Sequence, residues 1–325
     1  MHAGDGSYWI PHDDEALRLD AIAHHIFLLT YNDKLFLAPL KDPKRVIDIG
    51  TGIGIWASDF ADQFPEADVV GTDLSPCQRV PPAPNLRFDI DDCCSEWVYP
   101  PNHFDYVHVR LLYASVADWP AFYKECYDHL APGGYLEHAE INPVLESDDN
   151  SIGPNDVFHH SSRLAVESTE AFGKRIAIAP LLKQMITEAG FVDVVETKYK
   201  WPIGEWPVDP RLKDIGRWNA QHWIEGIDAW TMRLLTQYMG WTYDQVKAWA
   251  AEIRKAGCGL REETIVKPLG KYLLYDGMNV MTLEIRYAFQ RGRHSERLYT
   301  LQFYYSVRLM MRCTILIYIF SDIVL

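Results

Sequence analysis

The chain has 325 residues, 48% hydrophobic and 23% charged, a globular composition long enough for a full α/β core with an appended helical layer. Its 45 acidic against 31 basic residues leave a formal charge of −14, which argues against nucleic acid or anionic lipid as a partner and favours a small molecule or a protein. The six cysteines (Cys77, Cys93, Cys94, Cys126, Cys258, Cys313) form no CxxC pair, so the expectation is a reducing, cytoplasmic compartment with neither a disulfide framework nor a thiolate metal site.

Met1 to Pro11 has no basic stretch leading into an apolar run, so secretion is not expected. From Asp13, Leu19, Ile22, Ala23, Ile26 and Leu29 recur at helical steps, with Asp13 as cap and Asn32-Asp33 as the stop. Arg45 to Ile49 reads as a strand, Gly50 to Gly54 as a glycine turn, and Ile55 to Phe64 as a helix. Further strands are expected at Asp68–Thr72, Leu86–Ile90, Phe104–Val109 and Tyr135–Ile141, with a helix at Trp119–Leu130 and a turn at Pro132-Gly133-Gly134. This alternation predicts a doubly wound, mostly parallel α/β sheet. Asn142 to Asp156 reads as an acidic loop, followed by helices near Val157–Phe172 and Pro180–Ala189 and a strand at Phe191–Lys200. Seven tryptophans between Trp201 and Trp249 fall in helical segments, readable as the core of a helical cap or as an aromatic wall for a planar ligand. The expected division is an N-terminal helical segment over 1–40, a core over 41–200, a cap with the last strand over 201–291, and an atypical apolar tail over 292–325. Arg308 and Arg312 interrupt that tail and leave 13 residues, Cys313–Leu325, against the ~20 a spanning helix needs, so no membrane anchor is expected.

The turn spacing is Gly50-x-Gly52-x-Gly54, not the G-x-G-x-x-G that seats a dinucleotide pyrophosphate. Asp48, just before it, would face a cationic amino group and repel a pyrophosphate. Asp73 ends the second strand, where an acidic side chain takes ribose hydroxyls, and Asp91-Asp92 follow the third, where a carboxylate can accept from an adenine amino group. With Thr51 in the turn and Leu74 beside Asp73, these residues describe a pocket for S-adenosylmethionine. A tight turn at Gly52, a helix cap at Asp73 and a solvated Asp91 are the plain structural alternatives, and a nicotinamide-dependent dehydrogenase is the rival ligand class.

Val46-Ile47-Asp48-Ile49-Gly50-Thr51-Gly52-Ile53-Gly54-Ile55-Trp56, Gly71-Thr72-Asp73-Leu74-Ser75-Pro76, Phe88 to Asp92, Glu96-Trp97, Phe104-Asp105 and Leu130 to Gly134 resemble the fungal class I methyltransferases of the LaeA-like group. The likeness begins at Tyr8-Trp9-Ile10-Pro11, takes in Arg18-Leu19-Asp20, His25 and Leu35 to Leu40, and runs through Trp206-Pro207 and Gly240-Trp241 to about Lys255. It implies a seven-stranded sheet, S-adenosylmethionine as donor, and one of two roles: a biosynthetic enzyme for fungal natural products or a regulator of secondary metabolism. Cys93-Cys94 depart from the pattern, and Lys271 to Tyr275 is the nearest match to the closing strand.

Methyl transfer is an in-line displacement dominated by positioning, with a base needed only when the acceptor keeps its proton. His138 is the best-placed base on the fifth strand, and its alternative is a hydrogen-bonded sheet histidine. Glu140, one strand period on, would orient His138 or the acceptor, or face solvent. Arg110, at the end of the fourth strand, would hold an acceptor carboxylate or carbonyl, or pair with Asp105 or the acidic loop. His159-His160 would supply at most one contact from a lid helix. Neither this pair nor His24-His25 has the i, i+4 spacing of a metal site, so no metal is expected. The leading expectation is an enzyme that methylates a small-molecule acceptor. The second is a nuclear regulator working through protein partners, which the lack of a Lys/Arg cluster disfavours.

Overall fold

The computed structural model describes residues 14–79, 83–147, 152–262 and 274–281. Tyr8 to Pro11, the Asp13 cap, Lys271 to Leu273 and the apolar tail lie outside the described residues. Five parallel strands form the centre: β1 (Arg45–Ile49), β2 (Asp68–Asp73), β3 (Leu86–Ile90), β4 (Phe104–Arg110) and β5 (Leu130–Ile141), in the order β3-β2-β1-β4-β5. Their near-continuous apolar runs follow from burial on both faces. Val46, Val69 and Tyr106 pack against Trp56 and Phe60 of helix α2 (Ile55–Gln63). Ile47, Val107 and Val109 pack against Phe122 and Tyr123 of α3 (Trp119–His129) and Ile186 of α5 (Leu182–Glu188). Strand order reverses between β1 and β4, and such a switch point opens a crevice beyond the carboxyl ends of the strands.

Past β5 the sheet turns antiparallel. β8 (Leu274–Met281) pairs with β5 on one side and with β7 (Thr197–Pro202) on the other. Among the described residues the sheet holds eight strands where seven were expected, because the two-residue β6 (Leu145–Glu146) also pairs with β8. β6 lies in the stretch expected to be loop; Pro143, which has no N–H for the ladder, lies between it and β5. Among the described residues the closing strand shares Leu274 and Tyr275 with its expected position and runs on to Met281, its register set by pairing with two neighbours. The strand expected from Phe191 begins only at Thr197. Asp193 takes a left-handed φ of 54° and Phe191 turns inward against Tyr127, so that stretch does not extend. The expected turn at Pro132 to Gly134 falls inside β5, where the register with β4 shifts.

Helix α1 (Asp14–Thr30) ends where Asn32 and Asp33 turn left-handed, at φ 55° and 62°. It packs with α4 (Val157–Phe172), α6 (Pro210–Tyr238), α7 (Tyr243–Glu262) and the end of β5 in one apolar cluster containing Ile26, Phe27, Ile141, Trp201, Trp223 and Ile253. Polar ties fix α1 there: Trp201 Nε1 donates to Thr30 Oγ1 at 2.8 Å, Arg211 donates to the Thr30 carbonyl at 2.6 Å, and Arg18 pairs with Glu225. Among the described residues no helix is long and apolar enough to cross a membrane.

Candidate active site

An open cleft of about 950 Å³ lies at the switch point. Its floor is the glycine turn, where Gly50, Gly52 and Gly54 all have positive φ, at 68°, 54° and 82°. A β-carbon on Gly52 would be strained by the positive φ and would lie 2.8 Å from Asp20 Oδ2, so a side chain here would push that carboxylate aside. Asp20 comes from α1, as do Ala23 beside it in the lining and the neighbouring His24. It also accepts from the Ile53 N–H, so α1 is pinned onto the turn. Protein surrounds the Asp20 carboxyl while the cleft leaves it open to water; burial, with the negative charge of Asp73, pushes it up to about 7.

Every donor-site residue expected from sequence except Gly54 lines this cleft: Asp48, Gly50, Thr51, Gly52, Asp73, Leu74, Asp91 and Asp92. Gly54 stands behind them as the cap of α2. Asp73 accepts from the Gly52 N–H at 2.9 Å and the Ser75 N–H at 3.1 Å, which ties the end of β2 to the turn. The Asp91 N–H donates to the Asp73 carbonyl at 3.0 Å, and Asp92 accepts from the Cys94 N–H at 2.9 Å. Asp48 is more committed than expected. Its two oxygens meet Thr51 Oγ1 at 2.6 Å and His108 Nδ1 at 2.7 Å, and Trp56 stacks on the His108 ring at 3.6 Å. Burial lowers His108 below the usual histidine value despite that carboxylate.

Arg110 lines the cleft but does not pair with Asp105, which instead faces Arg45 at 3.6 Å and accepts from the Lys44 and Arg45 N–H groups. Its guanidinium lies 4.7 Å over the Phe27 ring and donates to His24 Nδ1 at 3.1 Å, while His24 Nε2 meets Asp59 at 3.1 Å. Among the described residues it has no carboxylate partner.

His138 and Glu140 are not at the cleft, contrary to expectation. His138 is wholly buried between β5 and α3; its Nδ1 meets the Tyr123 hydroxyl at 2.7 Å and its Nε2 meets Glu140 at 3.3 Å, with Trp119 against the ring. Burial lowers it to about 3. Glu140 accepts from the Leu112 N–H at 3.0 Å and the Ile141 N–H at 3.1 Å, and burial raises it well above the carboxylate range. The two-residue period aims this face of β5 at the α3 layer, so both residues brace the sheet and the loop after β4. His159 and His160 line no part of the cleft either. The residue that sequence reasoning missed is Asp20. Its one signal was its place in Arg18-Leu19-Asp20, since its contact with the turn exists only once α1 docks.

The walls fit S-adenosylmethionine: a turn that a β-carbon would fill, several carboxylates for a cationic, hydroxyl-bearing ligand, and one guanidinium for its carboxylate. The same carboxylates oppose a dinucleotide pyrophosphate. A family described as "Methyltransferase domain" matches residues 22–195, just over half of the chain. The chain is 39% identical over 264 residues to "Methyltransferase pytC" of Aspergillus terreus, covering 80% of this chain and 78% of that one. It is 34% identical to "Secondary metabolism regulator LAE1" of Cochliobolus heterostrophus, covering 82% and 87%, and 32% identical to "Secondary metabolism regulator laeA" of Monascus pilosus, covering 77% and 68%. With its fold, its acid-walled cleft and these relatives, the chain belongs to the methyltransferase-domain family, within the LaeA-like group of class I S-adenosylmethionine-dependent methyltransferases.

Proposed function

We propose that this enzyme methylates a small-molecule acceptor, by O- or N-methylation, in fungal secondary metabolism. The observation that carries this reading is the cleft in which the Gly52 turn, Asp73 and Asp20 converge at the carboxyl edge of the sheet. When bound, S-adenosylmethionine supplies a methyl carbon made electrophilic by its sulfonium. The chain's own residues then have binding and orienting work. Asp73 takes the ribose hydroxyls, and Asp91 and Asp92 face the base. Asp20 offers its charge to the cationic end of the donor, and Arg110 holds its carboxylate. Asp48, occupied by Thr51 and His108, keeps the turn in shape. A cytoplasmic location belongs to the same proposal, supported by six cysteines that form no CxxC pair.

A second reading, a regulator acting through protein partners in the nucleus, draws support from the LAE1 and laeA relatives. Calorimetric titration of the full chain with S-adenosylmethionine and with NAD tests the donor. Saturable binding of the first alone is expected, and binding of NAD alone would overturn the assignment. Labelled donor incubated with a fungal metabolite extract separates the two roles: label in low-mass organic products supports the enzyme, and label in none of them favours the regulator.

A further inference from the structure

A second pocket, about 810 Å³ with the space it opens to solvent, lies off the same edge of the sheet between α4, α6, α7 and the ends of β5 and β6. Its wall continues that of the donor cleft: Leu111 and Leu112 line the cleft and the next residue, Tyr113, lines the cavity. No lining residue carries a charged side chain. Leu164, Ile176 and Ile227 supply aliphatic surface, and Trp223, Trp230 and Trp249 supply flat aromatic walls.

Most polar groups of the lining are committed. Ser168 and Thr169 donate to the Ala165 carbonyl at 3.3 and 2.8 Å, Thr231 donates to the Ile227 carbonyl at 2.5 Å, and the Asn219 amide donates to the Pro202 carbonyl at 3.0 Å. His222 is different. It is only 7% exposed and has no hydrogen-bond partner among the described residues, only a ring contact with Trp230 at 4.8 Å. Trp249 Nε1 is fully buried without a partner. Burial lowers His222 to about 4, so at neutral pH one ring nitrogen accepts and the other donates. Buried polar groups are rarely left unpaired, and the orphaned Trp249 Nε1 shares this apolar chamber with His222, whose imidazole has no protein partner among the described residues.

We propose that this cavity holds the acceptor and is built for an uncharged, hydroxylated aromatic compound whose hydroxyl hydrogen-bonds His222. This rests on the methyltransferase reading above. A carboxylate, phosphate or ammonium would enter without a counter-ion, at a desolvation cost the lining does not offset. A hydroxyl can donate to the imidazole and accept from an indole N–H, which neither a hydrocarbon nor an aryl ether can do. As the new O–CH3 bond replaces the donor's S–CH3 bond, leaving the thioether, the hydroxyl proton passes by way of the imidazole to water, and the product ether can no longer donate to His222 and is held less tightly.

Equilibrium dialysis of the full chain against 2-naphthol, 2-methoxynaphthalene, naphthalene and 2-naphthoate tests the assignment. Wild type is expected to bind 2-naphthol about fivefold tighter than its methyl ether and about tenfold tighter than 2-naphthoate. His222→Leu should erase the preference over the ether while naphthalene binding holds, and His222→Gln should restore part of it. Leu164→Trp, which fills the chamber, should abolish 2-naphthol binding. S-adenosylmethionine affinity, measured on the same preparations, should stay unchanged in every variant. Equal affinity for 2-naphthol and 2-naphthoate, a preference that survives His222→Leu, or no 2-naphthol binding to wild type would overturn this proposal while intact donor binding leaves the methyltransferase reading standing. A wild type that binds no S-adenosylmethionine would instead overturn that reading.

Discussion

Gly52 carries two constraints at once, a left-handed backbone and the Asp20 carboxylate lying where a β-carbon would go. Gly52→Val is therefore expected to abolish donor binding; unchanged affinity together with a native circular dichroism spectrum would remove the turn from the site. Asp20 should give the cleft a pH dependence. With its carboxyl pushed up to about 7, it gains its negative charge between roughly pH 6 and 8, so affinity for the cationic donor should rise over that range. Asp20→Asn should bind more weakly with a flat profile, which calorimetry at several pH values would detect. The same raised value means that Asp20 contributes stability at low pH that is lost as pH rises through about 7. His138 works in the opposite sense. Held neutral down to about 3, it costs stability as pH falls from the unfolded histidine value of about 6.5, because the unfolded chain then binds the extra proton. His138→Phe should flatten that acid limb of the denaturation profile and leave donor affinity unchanged; a loss of donor binding in a folded variant would bring His138 back to the site.

Among the elements, α1 and the chain leading out of it are the parts whose role depends most on docking. Glu137 on β5 is fully buried and accepts from the Leu37 N–H at 2.9 Å and the Ala38 N–H at 2.7 Å, holding that segment against the sheet. Glu137→Leu would strand both donors and should cost about 1–3 kcal/mol, read from urea denaturation. Glu137→Gln keeps an accepting oxygen and should cost less. Elements whose ends carry their own chemistry were legible from sequence: Asp156 and Gly173 bound α4, and the run from Arg45 to Ile49 forms β1 as read. Elements defined by a partner were not, because β8 owes its register to β5 and β7, and Phe191 prefers burial to extension.

At the scale of the molecule, the last described element is β8, which reaches Met281, so a chain ending at Arg293 keeps every described element. It is expected to stay soluble and to bind S-adenosylmethionine as the full chain does; failure to fold would show that the removed residues supply a necessary part. The amino acids by themselves determined the parallel core, its glycine turn and the acidic residues at the strand ends. Those features depend on local periodicity, on glycine's access to positive φ, and on which residue follows each strand. Tertiary structure alone decided what those residues face. It brought Asp20 from a distant helix onto the turn, turned His138 and Glu140 into the α3 layer, gave Asp48 to His108, and enclosed His222 and Trp249 in one apolar chamber. Each of these is a contact between residues far apart in the chain, made when apolar faces bury one another, and no local pattern encodes which polar groups such packing will leave paired or alone.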